Sequence, residues 1–313
     1  MSGINAQAIK ELRERTQAGM SDCKNALTEA EGDMEKAVVI IQKKGLAKSV
    51  KAAGRVASEG EVRAAVHGHG HQATIVEVNI QTDFSARSDE FKAFVGHVLH
   101  VAEKAPHGAD LSAQPFEGKT VADAAAALTG KIGEKIDARR WDRVEVPHGK
   151  HGLATAYVHL GGKIGVILAL ETDTADVAKH PEVIKFADDT AMQIAAMNPL
   201  VLVRGDVAAD VIARQKDIYA GQLKEDPKTA AKEAQWPKMI EGKLNKWFSE
   251  ITLTEQESVV TPGHTIDKLR EAAAKAAGGT VTLVRFVRFE RGEGVAKEQK
   301  DDFAAEVAKM AGG

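Results

Sequence analysis

One cysteine, Cys23, stands in the whole chain. A single thiol can close no intramolecular disulfide and can build no cysteine-rich zinc site, so a reducing compartment fits. The charge excess of a general nucleic-acid binder is also missing. Its 42 basic and 45 acidic residues leave a net charge of -3, so only a local basic face could hold RNA. The first residues, MSGINAQAIKELRERT, mix both signs of charge. They contain no apolar run long enough for a signal peptide and lack the acid-poor bias of a transit peptide, so the expected location is the cytoplasm, with no membrane partner.

Chemical motifs are sparse as well. No Gly-x-x-x-x-Gly-Lys-Ser/Thr occurs, so the chain has no phosphate-cradling loop and is not expected to hydrolyse GTP or ATP. Neither His-Glu-x-x-His nor Gly-x-Ser-x-Gly is present. Gly68, Gly70 and Ala73 match a loosened dinucleotide fingerprint, but they fall in a predicted hairpin and not between a strand and a helix. His67, His69 and His71 alternate with glycines, and alternate positions of an extended strand face one side, as metal ligands do. A glycine-rich tip costs entropy to organise and no acid or cysteine stands close by, so a solvated turn is the favoured reading. No catalytic residue, metal or cofactor is expected.

What is present is the balance of a globular protein, 43% hydrophobic and 28% charged over 313 residues, long enough for two or more folding units. Residues 5 to 55 read as three short helices: Ile9 and Leu12 share one face, Ala26 and Leu27 a second, Val38 and Ile41 a third. Asp33 is placed to cap the third helix and Gly45 to end it. Lys43, Lys44, Lys48, Lys51 and Arg55 then form a basic, helix-like connector, read as a solvated face ahead of an RNA contact.

From residue 60 the period changes. Val76, Val78 and Ile80 alternate with Glu77, Asn79 and Gln81, the pattern of a strand with one buried face, and GEVRAAVHG is its hairpin partner. Ser88 caps a helix whose Phe91, Phe94, Val95, Val98 and Leu99 recur at steps of three and four. Thr120, with help from Asp123, caps another, after the loop at 106 to 120, to which no function is assigned. LATAYVHL and KIGVILAL flank Gly161 and Gly162 as a second hairpin, followed by the amphipathic PEVIKFADDTAMQIAAM. Strand pair then helix thus occurs twice, which predicts two related halves. Residues 206 to 248 are helical and charged, with Pro227 at the break, as for two helices folded back on each other. TIDKLREAAAKAA and TVTLVRFVRFERGEG supply a last helix and strand. The fold class is α+β.

One segment is unusual for a purely structural element. Thr82, Asp83, Phe84, Ser85, Ala86 and Arg87 leave the strand with a carboxylate, a large aromatic and a guanidinium together, and strand exits often present binding residues on a rigid scaffold. From the residues alone Phe84 continues the even-numbered apolar face, so packing in the core is the favoured reading. Asp83 has two roles open: accepting backbone amides ahead of the next helix, which is favoured as a common local cap, or acting by its charge on a partner.

ELRERTQAGMSDCKNAL, TDFSAR, KIGEKIDARR, YVHLGGKIGV, VRFERGEG and DFAAEVAKM resemble segments of the elongation factor Ts family, in the family's order and over nearly the whole chain. Ser85 stands where the family usually has a small apolar residue, and Gln17 replaces a glycine in the first turn between helices. The resemblance implies a guanine-nucleotide exchange factor for the GTPase elongation factor Tu, binding it in GDP-bound and nucleotide-free form. It implies a UBA-like N-terminal three-helix module at 1–55 and a core N-subdomain at 56–142. A core C-subdomain at 143–290, with the projecting helical hairpin inserted at about 206–248, and a C-terminal module at 291–313 complete the expected organisation. Thr82, Asp83, Phe84 and Ser85 are implied to form the partner-binding, magnesium-displacing loop, with Phe84 as a wedge. Lys24, Ile132, Gly133, His159 and Met310 are implied as further partner contacts. The hairpin would touch the partner or a second copy, leaving a homodimer or two-to-two complex open, and no specific nucleic acid is implied.

Overall fold

The computed structural model describes residues 5–16 and 18–296; DFAAEVAKM, Met310 and Gln17 lie outside them. Helices α1 (Ala6–Thr16), α2 (Met20–Glu29) and α3 (Met34–Ala52) pack around Leu12, Cys23, Ala26, Leu27, Ala30 and Ala37. The Asp33 carboxylate accepts from the Lys36 amide at 3.0 Å, capping α3 as expected. Gly45 does not end that helix. It lies inside α3, and the basic run continues on the same helix. Within that run, Lys44 pairs with Glu29 at 2.6 Å and Lys48 with Asp22 at 2.9 Å.

A glycine inside a helix costs about 1 kcal/mol relative to alanine, and here it is the missing side chain of Gly130, in α6 (Val121–Ile132), that lets this helix meet α3. A Cβ on Gly130 would lie 2.5 Å from Gly45 Cα, whereas one on Gly45 would find its nearest neighbour at an ordinary 3.8 Å. The crossing is thus asymmetric in its tolerance. Gly130→Ala is expected to force the helices apart and destabilise by about 1–3 kcal/mol, while Gly45→Ala should be neutral or stabilising by up to about 1 kcal/mol. Equal midpoints for the two variants in urea unfolding would contradict the crossing.

Strands β1 (Glu59–His67), β2 (Gln72–Ile80) and β5 (Ile136–Glu145) make an antiparallel sheet in the order β1-β2-β5. β5 runs as one strand across residue 142. After β2 come α4 (Asp83–Ala86) and α5 (Asp89–Lys104), then the two-residue strands β3 (Pro115–Phe116) and β4 (Lys119–Thr120), then α6. Ser88 caps α5, and Phe91, Phe94, Val95, Val98 and Leu99 are buried against Val76, Val78 and Ile80. Thr120 and Asp123 form a capping box on α6, which ends at Gly133 in the left-handed region, φ 87°.

The second half repeats this order. Strands β6 (His151–His159), β7 (Ile164–Thr172) and β8 (Val281–Glu290) form a sheet ordered β6-β7-β8. A short helix α7 (Ala175–Ala178) and a long α8 (Pro181–Met197) follow β7, and α12 (Ile266–Ala277) precedes β8. Even the irregularity recurs, a register shift at Glu77/Val78 in β2 and at Ala169/Leu170 in β7. Inserted between α8 and α12 are α9 (Ala209–Glu225), α10 (Pro227–Ala230) and α11 (Trp236–Ile251). Across α9, α10 and α11 only Leu223, Leu244 and Phe248 are buried, in keeping with the polar sequence.

The two sheets face each other through Val62, Ala73, Ile75, Val144, Ala154, Ile167, Ala169, Val287 and Phe289. β2 is therefore buried on both faces, correcting the expectation of one. Its polar residues Glu77 and Asn79 are 0% and 1% exposed. A buried carboxylate is costly unless fully bonded. Glu77 accepts from Asn79 Nδ2 (3.0 Å), Arg139 Nη1 (3.1 Å), Arg140 Nε (2.5 Å) and the Gly292 amide (2.7 Å). No helix among the described residues is long and apolar enough to cross a membrane.

Candidate functional site

The turn that leaves β2 is built from short-range capping. Thr82 stands just before α4, and its hydroxyl accepts from the Ser85 amide at 3.2 Å, satisfying a donor that the first helical turn leaves free. Ser88 then receives the Phe91 amide at 3.3 Å and donates its hydroxyl to the Ser85 carbonyl at 2.8 Å, fixing the joint between α4 and α5. Ser85 and Ala86 point inward and are buried.

Phe84 points outward. The expectation that it packs in the core is overturned: it is 84% exposed. The strand ends at Ile80, and the helical turn begun at Asp83 breaks the two-residue alternation, so position 84 no longer follows the face of 76, 78 and 80. A phenyl ring held in water costs hydrophobic free energy that the isolated chain does not recover.

Asp83 does not cap the helix; Thr82 does. The Asp83 carboxylate instead accepts from Arg87 Nη2 at 2.8 Å, one helical turn on, with both side chains well exposed. Such a pair contributes little to stability, so the carboxylate is available at the surface beside Phe84.

Ile132 and Gly133 come to the same place through a residue that the sequence reading missed. Glu134, directly after Gly133, accepts from the Thr82 amide (3.0 Å), the Thr82 hydroxyl (2.8 Å) and the Ser85 hydroxyl (2.6 Å). Ser85, the departure from the family's usual small apolar residue, thus has a partner for its hydroxyl. Gln81 Oε1 accepts from the Lys135 amide at 2.8 Å, and Arg55, just beyond α3, donates to the Gly133 carbonyl at 3.2 Å. Left-handed Gly133 turns the chain sharply enough to aim Glu134 at the turn. The one available signal was an acid following a helix-ending glycine, and nothing in sequence tells which strand exit it meets.

The remaining candidates stand apart. Lys24 is exposed on α2. His159 closes β6, half-buried, with Nδ1 2.8 Å from the Tyr157 hydroxyl. The tip after it docks on the edge of the first sheet, where the Val62 amide donates to the Gly162 carbonyl at 2.8 Å. Val62 pairs with Glu77 in β2, which sets that tip along the half of the sheet that leads to the turn. Met310 lies outside the described residues. The glycine-flanked histidines form a turn: His67 Nε2 lies 2.8 Å from Thr74 Oγ1 and His69 has φ 57°. Among the described residues no group of three or more His, Cys, Asp or Glu is placed to hold a metal ion.

Comparison with known proteins matches residues 81–293 to the family described as Elongation factor TS, a stretch that begins one residue before the capped turn. The chain is 43% identical over 312 residues to Elongation factor Ts of Clostridium perfringens, covering 99% of each. It is 44% identical over 310 residues to Elongation factor Ts of a Nitratiruptor species, covering 97% of this chain and 98% of the relative. With Elongation factor Ts of Clostridioides difficile the identity is 42% over 313 residues, 99% of each. Family match and full-length relatives agree, and the chain belongs to the elongation factor Ts family.

Proposed function

We propose that this chain promotes GDP release from elongation factor Tu during translation elongation, acting by binding and not by making bonds. The observation that carries the reading is Phe84, fully displayed on a turn whose neighbouring residues are hydrogen-bonded in place. An aromatic anchor presented on a rigid element is the chemical type of an interface hot spot, because little ordering entropy remains to be lost on binding.

A GTPase holds GDP through backbone amides around the phosphates, a lysine and a bridging magnesium ion. A partner speeds release only by binding the empty or distorted site better than the filled one, since coupling between partner and nucleotide is reciprocal. Phe84 would wedge into the nucleotide domain near its magnesium side and disturb the metal and phosphate contacts. Ile132, Gly133, Lys24, His159 and Met310 would supply further contacts, with residues 1–55 acting as one helical unit and the α9–α11 hairpin touching the partner or a second copy. Such work places the chain in the cytoplasm. The deciding measurement is release of fluorescent GDP from purified elongation factor Tu: acceleration by catalytic amounts of this chain supports the reading, and an unchanged rate overturns it.

Because Thr82 already caps α4, the charge of Asp83 is the property left for function. Asp83→Asn should fold normally and slow GDP release on the order of fivefold, the equivalent of about 1 kcal/mol for one solvated charge near a cation. The deficit should shrink as free magnesium is lowered. Wild-type rates at every magnesium concentration would remove Asp83 from the mechanism.

A further inference from the structure

We propose that Glu134 is the positioning residue of the exchange turn, an inference that rests on the exchange-factor reading. Its carboxylate is half-buried and accepts from three donors of the turn: the Thr82 amide, the Thr82 hydroxyl and the Ser85 hydroxyl. All three donors are neutral, and hydrogen bonds to an ionised acceptor are the stronger kind. The two residues gripped, Thr82 and Ser85, bracket Asp83 and Phe84. The direction of the phenyl ring is therefore set from the end of α6, 50 residues further along the chain.

The second half of the molecule is an internal control. There too a helix, α12, ends at a left-handed glycine, Gly278, and a carboxylate ties its exit to the neighbouring strand exit. That carboxylate is Asp173, after β7, and it accepts from the Thr280 amide at 3.1 Å. Closing the joint thus takes one bond, directed at the strand that follows. The short helix α7 is capped by Thr174, whose hydroxyl serves the Val177 amide, and among the described residues no carboxylate reaches it. The counterpart of Phe84, two residues past the capping threonine, is Asp176. The extra grip of Glu134 exists in the half that displays an aromatic and is missing in the half that does not. A purely architectural role would call for it in both.

The test is a double-mutant cycle with Phe84, read both as GDP release from elongation factor Tu and as affinity for its nucleotide-free form. Glu134→Ala is expected to lower the release rate about tenfold, the equivalent of losing one or two charge-assisted hydrogen bonds, and Glu134→Gln, which keeps one acceptor oxygen, to lower it less. In a Phe84→Ala background, where GDP release is already near the spontaneous rate, the cycle is read in affinity for nucleotide-free elongation factor Tu, and there Glu134→Ala should cost almost nothing more, because a residue acting through Phe84 has nothing left to position. Hydrogen exchange in the free chain supplies a readout independent of activity: the Thr82 amide should lose protection in Glu134→Ala while amides of β2 keep theirs. Additive losses in the cycle, or an unchanged Thr82 amide, overturn the positioning role while leaving the exchange function standing. A wild-type chain that releases no GDP overturns both.

Discussion

Phe84→Ala should leave a fully folded protein that has lost most of its exchange activity. The ring is 84% exposed in the free chain, so its removal opens no cavity and deletes no core contact; surface changes of this kind usually alter stability by less than about 0.5 kcal/mol. Truncating an aromatic hot spot typically costs about 2–4 kcal/mol of binding, a factor of about 30 to 1,000. The variant should melt with the wild-type midpoint and release GDP at a rate near the spontaneous one. Conversely, a lowered melting point would mean that Phe84 packs against the core after all. Wild-type release would mean that the turn is not the working surface.

The second large effect is expected on stability, at Glu77. Its carboxylate stands between the sheets, accepting from Asn79, Arg139, Arg140 and the Gly292 amide. Removing one partner of a buried ionic network typically costs about 3–5 kcal/mol, and Glu77→Ala should fall near about 3 kcal/mol in urea unfolding at neutral pH. The lower end is expected because both guanidiniums keep other acceptors, Arg139 the Glu293 carbonyl and Arg140 the Glu290 carbonyl. A loss below about 1 kcal/mol, the scale of an exposed ion pair, would refute a structural role for the network.

The same network has a pH signature. Burial by itself pushes the Glu77 carboxyl up, but the Gly292 amide, the Asn79 amide and the Arg140 guanidinium outweigh it, and its pKa is lowered from the ordinary value. A group depressed in the folded state contributes stability that is present above its unfolded value, about 4.3 for glutamate, and that is lost as pH falls through the folded value. The wild-type chain should therefore lose this contribution below about pH 4, and Glu77→Ala should show a flatter stability curve there.

The halves of this molecule are legible in sequence because each rests on local rules. Ser88 before an apolar period, Thr120 three residues ahead of Asp123, and Gly161-Gly162 between two alternating runs all mark element ends through bonds that span a few residues. Those marks, the two strand-strand-helix units, the charged helical hairpin and the family resemblance were all contained in the amino-acid order. Wherever a residue answers to something distant, the order misleads. Gly45 is the residue type of a helix end, yet it lies inside α3, at the crossing where Gly130, 85 residues away, comes up against its backbone. Glu77 and Asn79 have the spacing of a solvent face, yet a second sheet covers them.

The site divides along the same line. Sequence by itself determined that a carboxylate and an aromatic leave β2 together, next to residues able to cap a helix. Only the tertiary structure decided that Phe84 faces solvent, that Thr82 and not Asp83 holds the cap, and that Glu134 grips the turn from another element. The physical reason is range: capping and periodicity act within one or two turns of the chain, whereas the direction of an exposed side chain is fixed by whatever the fold brings up behind its backbone, here a carboxylate placed by the end of α6.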